Sequence, residues 1–159
     1  IGHSILKAIY EILSTGKRYH ELGGMYVAQK KEKESKEINQ KLVQIATALK
    51  KYEISCKDLK LVIPTCQKDF VSWGKELNIC VGTYGYDKKM IEGKCIILMV
   101  YLNDQPLECC ELTKKDRGNS LKIEQLRGKH NGESPRHSDC EKLVNQFIRN
   151  VGKNWQVTA

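Results

Sequence analysis

The sequence predicts an α+β domain: a small antiparallel meander sheet of about three to four strands, covered by helices and joined to a helical N-terminal part. Two observations predict it. Between 94 and 127, short runs rich in apolar and β-branched residues are separated only by turn residues, as in strands joined by hairpins. On both sides of that region, apolar residues recur at intervals of three and four, the period of a helix.

Taken in order, Ile5, Ile9, Ile12 and Leu13 share one face of a first helix, which Gly16 stops. Residues 17–25 read as a loop, with Gly23-Gly24 as its flexible point. A long helix over about 33–52 follows. Ile38, Leu42, Ile45 and Leu49 draw one apolar stripe on it, and Lys, Glu, Gln and Asn fill its other faces. Residues 59–63 alternate weakly and end at Pro64, as a short strand or an extended lead-in does. Thr65 can cap a helix carrying Phe70, Trp73 and Leu77, and a shorter helix over 84–92 ends at Gly93.

Residues 94–102 form the strongest strand pattern, with Ile96 to Leu102 uninterrupted by any charge. Asn103-Asp104-Gln105-Pro106 turns the chain, and 107–113 returns. After a charged turn over 114–119, Leu121, Ile123 and Gln125 begin a third strand leading into Arg127. Ser138-Asp139-Cys140-Glu141 reads as a capping box opening a last helix. Leu143, Val144, Phe147, Ile148 and Val151 lie on its buried face, and Gly152 ends it. The organisation expected is a helical N-terminal part with a long amphipathic helix over 1–58, an α+β core over 59–152 and a tail over 153–159.

A chain of 159 residues is long enough to bury a core without a metal or a disulfide. Opening on Ile1 rather than Met marks it as a fragment or a processed piece. Its 27 Lys and Arg against 19 Asp and Glu leave a net charge of +8, which raises the odds of an anionic partner such as DNA or RNA. A Lys-rich soluble surface gives the same number. The seven cysteines are odd in number and form no CxxC pair, which argues for reduced thiols and against zinc. Cys109 and Cys110, as neighbours on a strand, point to opposite faces and do not share an ion. No metal or cofactor is called for. No signal peptide or membrane-length apolar run is visible, so a cytoplasmic protein is expected.

Two segments carry the chemistry-bearing residues. In Cys80-Val81-Gly82-Thr83-Tyr84 a thiol sits among small residues at the expected start of a helix. In Gln125-Leu126-Arg127-Gly128-Lys129-His130-Asn131 a guanidinium, a glycine and an amide stand at the end of a strand. A cysteine at a helix start can act as a thiolate nucleophile, with His130 as the best-placed base. The plainer reading packs Cys80 where helix meets sheet, as free cysteines commonly do. Arg127, Lys129 and Asn131 can bind phosphate, with Lys88 and Lys89 as further cations. Arg127 can equally pair with an acid such as Glu111. Tyr84 and Tyr86 can stack on bases, whereas Trp73 reads as core.

The same segments, with others in fixed order, resemble the PcfJ-like family of conjugative plasmids and other mobile elements. The resemblance runs through Leu61-Val62-Ile63-Pro64, Lys75-Glu76-Leu77, Cys80-Val81-Gly82-Thr83-Tyr84, and Glu92-Gly93-Lys94 leading into Ile96-Ile97-Leu98. It continues with Pro106 before the strand carrying Glu111, then Gln125-Leu126-Arg127-Gly128 and Asn131. That family generally has histidine immediately before the cysteine, where this chain has Asn78-Ile79. The resemblance implies an accessory protein of a mobile element in a bacterium or its phage. It implies no reaction.

Three functions are therefore open. One is a nucleic-acid-associated protein that uses its basic surface and the two motifs. Another is a small cysteine-dependent enzyme built on Cys80, Tyr84, Arg127 and Asn131. The third is an interaction module whose long helix docks a protein partner of a conjugation or phage system.

Overall fold

The computed structural model describes residues 2–16, 19–115 and 119–155. Contacts divide the chain into two units, Ile1–Glu37 and Ile38–Ala159. The first holds α1, Gly2–Thr15, and the opening of α2, Tyr19–Leu49. Ile5, Leu6, Ile9, Tyr10 and Leu13 of α1 are exposed, so the apolar face drawn by the periodicity is not a buried one here.

α2 begins at Tyr19, so Gly23-Gly24 lie inside a helix rather than in a loop. A Cβ on Gly24 would meet nothing, so packing does not require that glycine. Propagation carries the helix through it: once a long helix exists, each added residue gains a hydrogen bond without a new nucleation cost. That gain opposes a penalty of about 1 kcal/mol per glycine.

In the second unit, Ile38, Leu42, Ala46 and Leu49 form the buried stripe of α2. Then come β1 (Ser55–Cys56), β2 (Leu59–Val62), α3 (Gln67–Leu77), α4 (Tyr86–Ile91), β3 (Ile96–Leu102), β4 (Gln105–Lys114), β5 (Leu121–Arg127) and α5 (His137–Val151). The strands form one antiparallel sheet in the order β1-β2-β3-β4-β5. The expected meander is β3-β4-β5, and β2 is the fourth strand. The fifth, β1, has two exposed residues and is too short to leave a periodic signal.

Two helix starts differ from the sequence reading. The N-cap of α3 is Cys66, and the Asp69 carboxylate accepts the backbone N–H groups of Thr65, at 2.7 Å, and Cys66, at 3.1 Å. Thr65 is thus held by the cap rather than being it. α5 starts at His137, which places Ser138 inside the helix. Its lead-in is a turn in which Ser134 O accepts the His137 N–H at 3.0 Å. Asp139, taken for part of a capping box, accepts instead from Arg136 Nε at 2.7 Å.

The register sorts the sheet into two faces. Leu98 lies opposite Cys110, and Cys110 opposite Leu126; Met99 lies opposite Cys109, and Cys109 opposite Arg127. Successive side chains alternate, so Leu98, Cys110 and Leu126 mark one face and Met99, Cys109 and Arg127 the other. Trp73 of α3 donates to the Tyr101 hydroxyl at 2.7 Å, which places α3 on the Met99 face. The opposite face meets α5, whose Leu143, Val144, Phe147 and Val151 are buried. Trp155 is buried too, and its indole N–H donates to Asn119 O at 2.6 Å. Among the described residues no helix is long and apolar enough to cross a membrane.

Candidate functional site

A break in register builds the site on β5. Glu111 pairs with Gln125, yet the next residue, Leu112, pairs with Ile123, leaving Glu124 as an extra residue on β5. One extra residue reverses which face the following side chains take. Ile123 therefore shares the α5 face with Leu112, while Gln125 and Arg127 share the α3 face with Glu111 and Cys109.

The wall opposite comes from the chain after α3. Asn78 ends that helix in the left-handed region at φ 52°, and a single 3-10 turn, Cys80–Gly82, follows. Gly82 lets this turn lie directly on α3: a Cβ there would come within 2.9 Å of Phe70 O and 3.0 Å of Val71 Cα. The other rim is the tight loop after β5, closed by Gly128 N–H donating to Gly132 O at 2.7 Å. Within it, His130 and Asn131 take positive φ, 58° and 61°. A Cβ on Gly128 would stand 3.1 Å from Leu107 O, so β4 and this loop cross more closely there than side chains usually allow.

These pieces line a small open pocket of about 40 Å³. Ile79, Val81 and Ile97 are its apolar walls; Cys80, Tyr86, Cys109, Glu111, Gln125, Arg127 and Asn131 bring the chemistry. The structure thus brings Cys80, Arg127 and Asn131 to one pocket.

Glu111 is the central charge. Burial raises its pKa, Lys89 opposes that rise, Glu124 adds to it, and a hydrogen bond from the Tyr86 hydroxyl draws it down. The Tyr86 hydroxyl is itself raised, by burial first and then by the charge of Glu111. Lys89 Nζ stands 4.5 Å from the centre of the Tyr86 ring. Burial pushes the thiols of Cys95 and Cys109 up to about 12, so both stay protonated near neutrality.

Arg127 is half exposed, and its Nη1 lies 3.7 Å from Glu133 Oε1, beyond a good hydrogen bond. Its ion-pair partner is thus Glu133, not Glu111. Cys80 is exposed rather than packed between helix and sheet. It opens a 3-10 turn, not the α-helix expected after it, so no helix dipole of consequence acts on the thiol. His130 does not line the pocket; its Nδ1 accepts from Asn78 Nδ2 at 2.9 Å. Tyr84 is 70% exposed and also lies outside the lining, where Tyr86 stands instead. Lys88 and Lys89 are on α4, and Lys129 lines a separate, open depression with Glu76, Gln105 and Glu133.

Sequence reasoning passed over Glu111 as a site residue, naming it as a partner for Arg127 and as part of the family resemblance. Its signal was a carboxylate two residues from Cys109, on the same face of the strand. A second constellation went unseen. Glu108, fully buried on the α5 face, accepts the Ser134 N–H at 2.7 Å and lies 3.0 Å from His137 Nδ1. The nearby Cys140 thiol is pushed up to about 12 by burial and then by Glu108. Among the described residues, no group of His, Cys, Asp and Glu could hold a metal ion.

The family model for PcfJ-like proteins matches residues 16–141, which takes in α2, the whole sheet and both rims of the pocket. The chain belongs to the PcfJ-like family. An uncharacterized protein of Listeria innocua serovar 6a is 34% identical to this PcfJ-like chain over 109 residues, 69% of it. The chain spans only 23% of that relative's length. No solved structure matches.

Proposed function

We propose that this PcfJ-like protein is a nucleic-acid-associated accessory protein of a mobile element, acting in a bacterial cytoplasm and holding a strand at the Cys80–Arg127 pocket. The observation that carries this reading is the half-exposed Arg127 guanidinium at a pocket of polar, hydrogen-bonding side chains, on a chain with net charge +8. An exposed ion pair is worth at most about 1 kcal/mol, so phosphate competes readily with Glu133 for Arg127. Lys89, beside the pocket across the Tyr86 ring, adds a second cation. Exposed Tyr84 supplies a stacking surface for a neighbouring base.

Fluorescence polarisation with single-stranded and duplex DNA and RNA tests it. Binding should weaken steeply between about 50 and 200 mM salt as the entropy gained by releasing counterions falls. Arg127→Ala should lower the salt slope by about one. Absence of binding to every one of these at low salt removes the reading.

One observation favours a second reading, a cysteine-dependent enzyme: exposed Cys80 shares its pocket with a carboxylate of raised pKa. There Glu111, not His130, would accept the thiol proton. Loss of an assayed turnover in both Cys80→Ala and Glu111→Gln would support it.

A further inference from the structure

We propose that the pocket selects guanine, with the Glu111 carboxylate accepting the two adjacent N–H groups of the base and Arg127 holding its phosphate; this deepens, and rests on, the nucleic-acid reading above. The chemistry of the lining argues for it. Glu111 is an acceptor with two oxygens, and the Tyr86 hydroxyl occupies only part of its capacity. Gln125 lies directly across the ladder from it. Gln125 and Asn131 can donate to a carbonyl beside those N–H groups. Ile79, Val81 and Ile97 suit the faces of a flat ring. Arg127 follows Gln125 by two residues, about 7 Å along the strand, and its exposure places its charge at the mouth.

Among the common bases, guanine alone presents two neighbouring donors on its Watson–Crick edge, with a carbonyl next to them. Adenine and cytosine each set one amino group beside a ring nitrogen acceptor. Thymine and uracil set one N–H between two carbonyls. Each of these turns a lone pair toward the carboxylate, and an unpaired acceptor there costs binding energy. An unstacked base in a single strand offers this edge freely. A free guanine nucleotide offers the same edge and the same phosphate.

The test uses labelled oligothymidylates of about ten nucleotides, each with one central dG, dA, dC or dT, in fluorescence polarisation. The dG strand should bind at least tenfold more tightly, the discrimination expected of one good bidentate pair. Glu111→Gln should bring the four affinities within about twofold of one another, because the amide carries a donor where the second acceptor was. Tyr86→Phe, which keeps the ring and removes the hydroxyl that stabilises the ionised Glu111, should cut the preference at least threefold. Competition with 5′-GMP and 5′-AMP separates the sources: displacement by GMP alone at concentrations similar to the dG strand assigns the free nucleotide, and displacement only by the dG strand assigns nucleic acid. Equal binding of the four strands by the unaltered protein overturns the guanine assignment and leaves the nucleic-acid reading standing. No binding by any strand overturns both.

Discussion

The Glu108 carboxylate, with no exposed surface, is held by His137 Nδ1 at 3.0 Å across the junction of β4 and α5. Its other protein donor is the Ser134 N–H at 2.7 Å. A carboxylate enclosed in this way depends on its partners, because its desolvation is offset only by the hydrogen bonds it keeps. His137→Ala should therefore destabilise the second unit by about 1–3 kcal/mol, the cost of taking a donor from a buried acceptor, read as a lower urea midpoint with unchanged slope. Adding Glu108→Gln to His137→Ala should recover part of the loss, since a neutral amide costs less to bury. Equal stability of the single variant and the parent would refute the dependence.

Gly82 fixes the distance between α3 and the turn that carries Cys80. Alanine there would bring a Cβ to 2.9 Å from Phe70 O and 3.0 Å from Val71 Cα, both backbone atoms that cannot rotate away. Gly82→Ala should cost about 1–3 kcal/mol, as overpacking does, and should also move the Cys80 wall of the pocket. Gly85→Ala is the control for strain alone: φ is +67° there, but a Cβ would meet nothing within 4 Å. Both should lower the melting temperature, and only Gly82→Ala should change strand binding.

The helices and the meander were legible because each leaves a local pattern. The apolar run from Ile96 to Leu102 reads as a strand wherever it is met. Other features are not local. The hydrogen bond between Glu108 and His137 spans 29 residues, and neither residue announces it. The extra residue Glu124 decides which face Gln125 and Arg127 take, and its trace in the sequence is a break in alternation, two polar residues at Glu124-Gln125 before Leu126, which matters only once the strand's partner is known. Gly23-Gly24 misled for the opposite reason: glycine is a strong local signal, outweighed here by the helix that continues on both sides.

Cys80 and Cys56 are exposed, whereas Cys95, Cys109, Cys110 and Cys140 are buried. Burial holds the thiols of Cys95, Cys109 and Cys140 at about 12 and raises that of Cys110 well above its ordinary value. The thiolate is the reactive form. Brief iodoacetamide treatment of the native protein at pH 7.5, followed by peptide mapping, should label Cys56 and Cys80 and leave those four unmodified until denaturant is added. Phosphate or a bound oligonucleotide should slow Cys80 and not Cys56, because Cys80 lines the pocket and Cys56 does not. Labelling of Cys109 before Cys80 would contradict the pocket as described.

Glu111 should lower stability at neutral pH. Its folded pKa is raised, chiefly by burial, so the folded protein holds the carboxyl proton more tightly than the unfolded chain does. The stability gained from that proton is fully present below the unfolded pKa and is lost as pH rises through the folded value. At pH 7 the protein therefore carries a partly desolvated charge that Glu111→Gln lacks. The variant should be at least as stable as the parent at pH 7. Its relative advantage should shrink as pH falls through the raised pKa of Glu111, which thermal unfolding at several pH values would show. Nucleic-acid binding should move the other way, with the guanine preference of the parent fading over the same acid range as the carboxylate takes up its proton. A preference that survives well below that range would show that the ionised form of Glu111 is not what the strand meets.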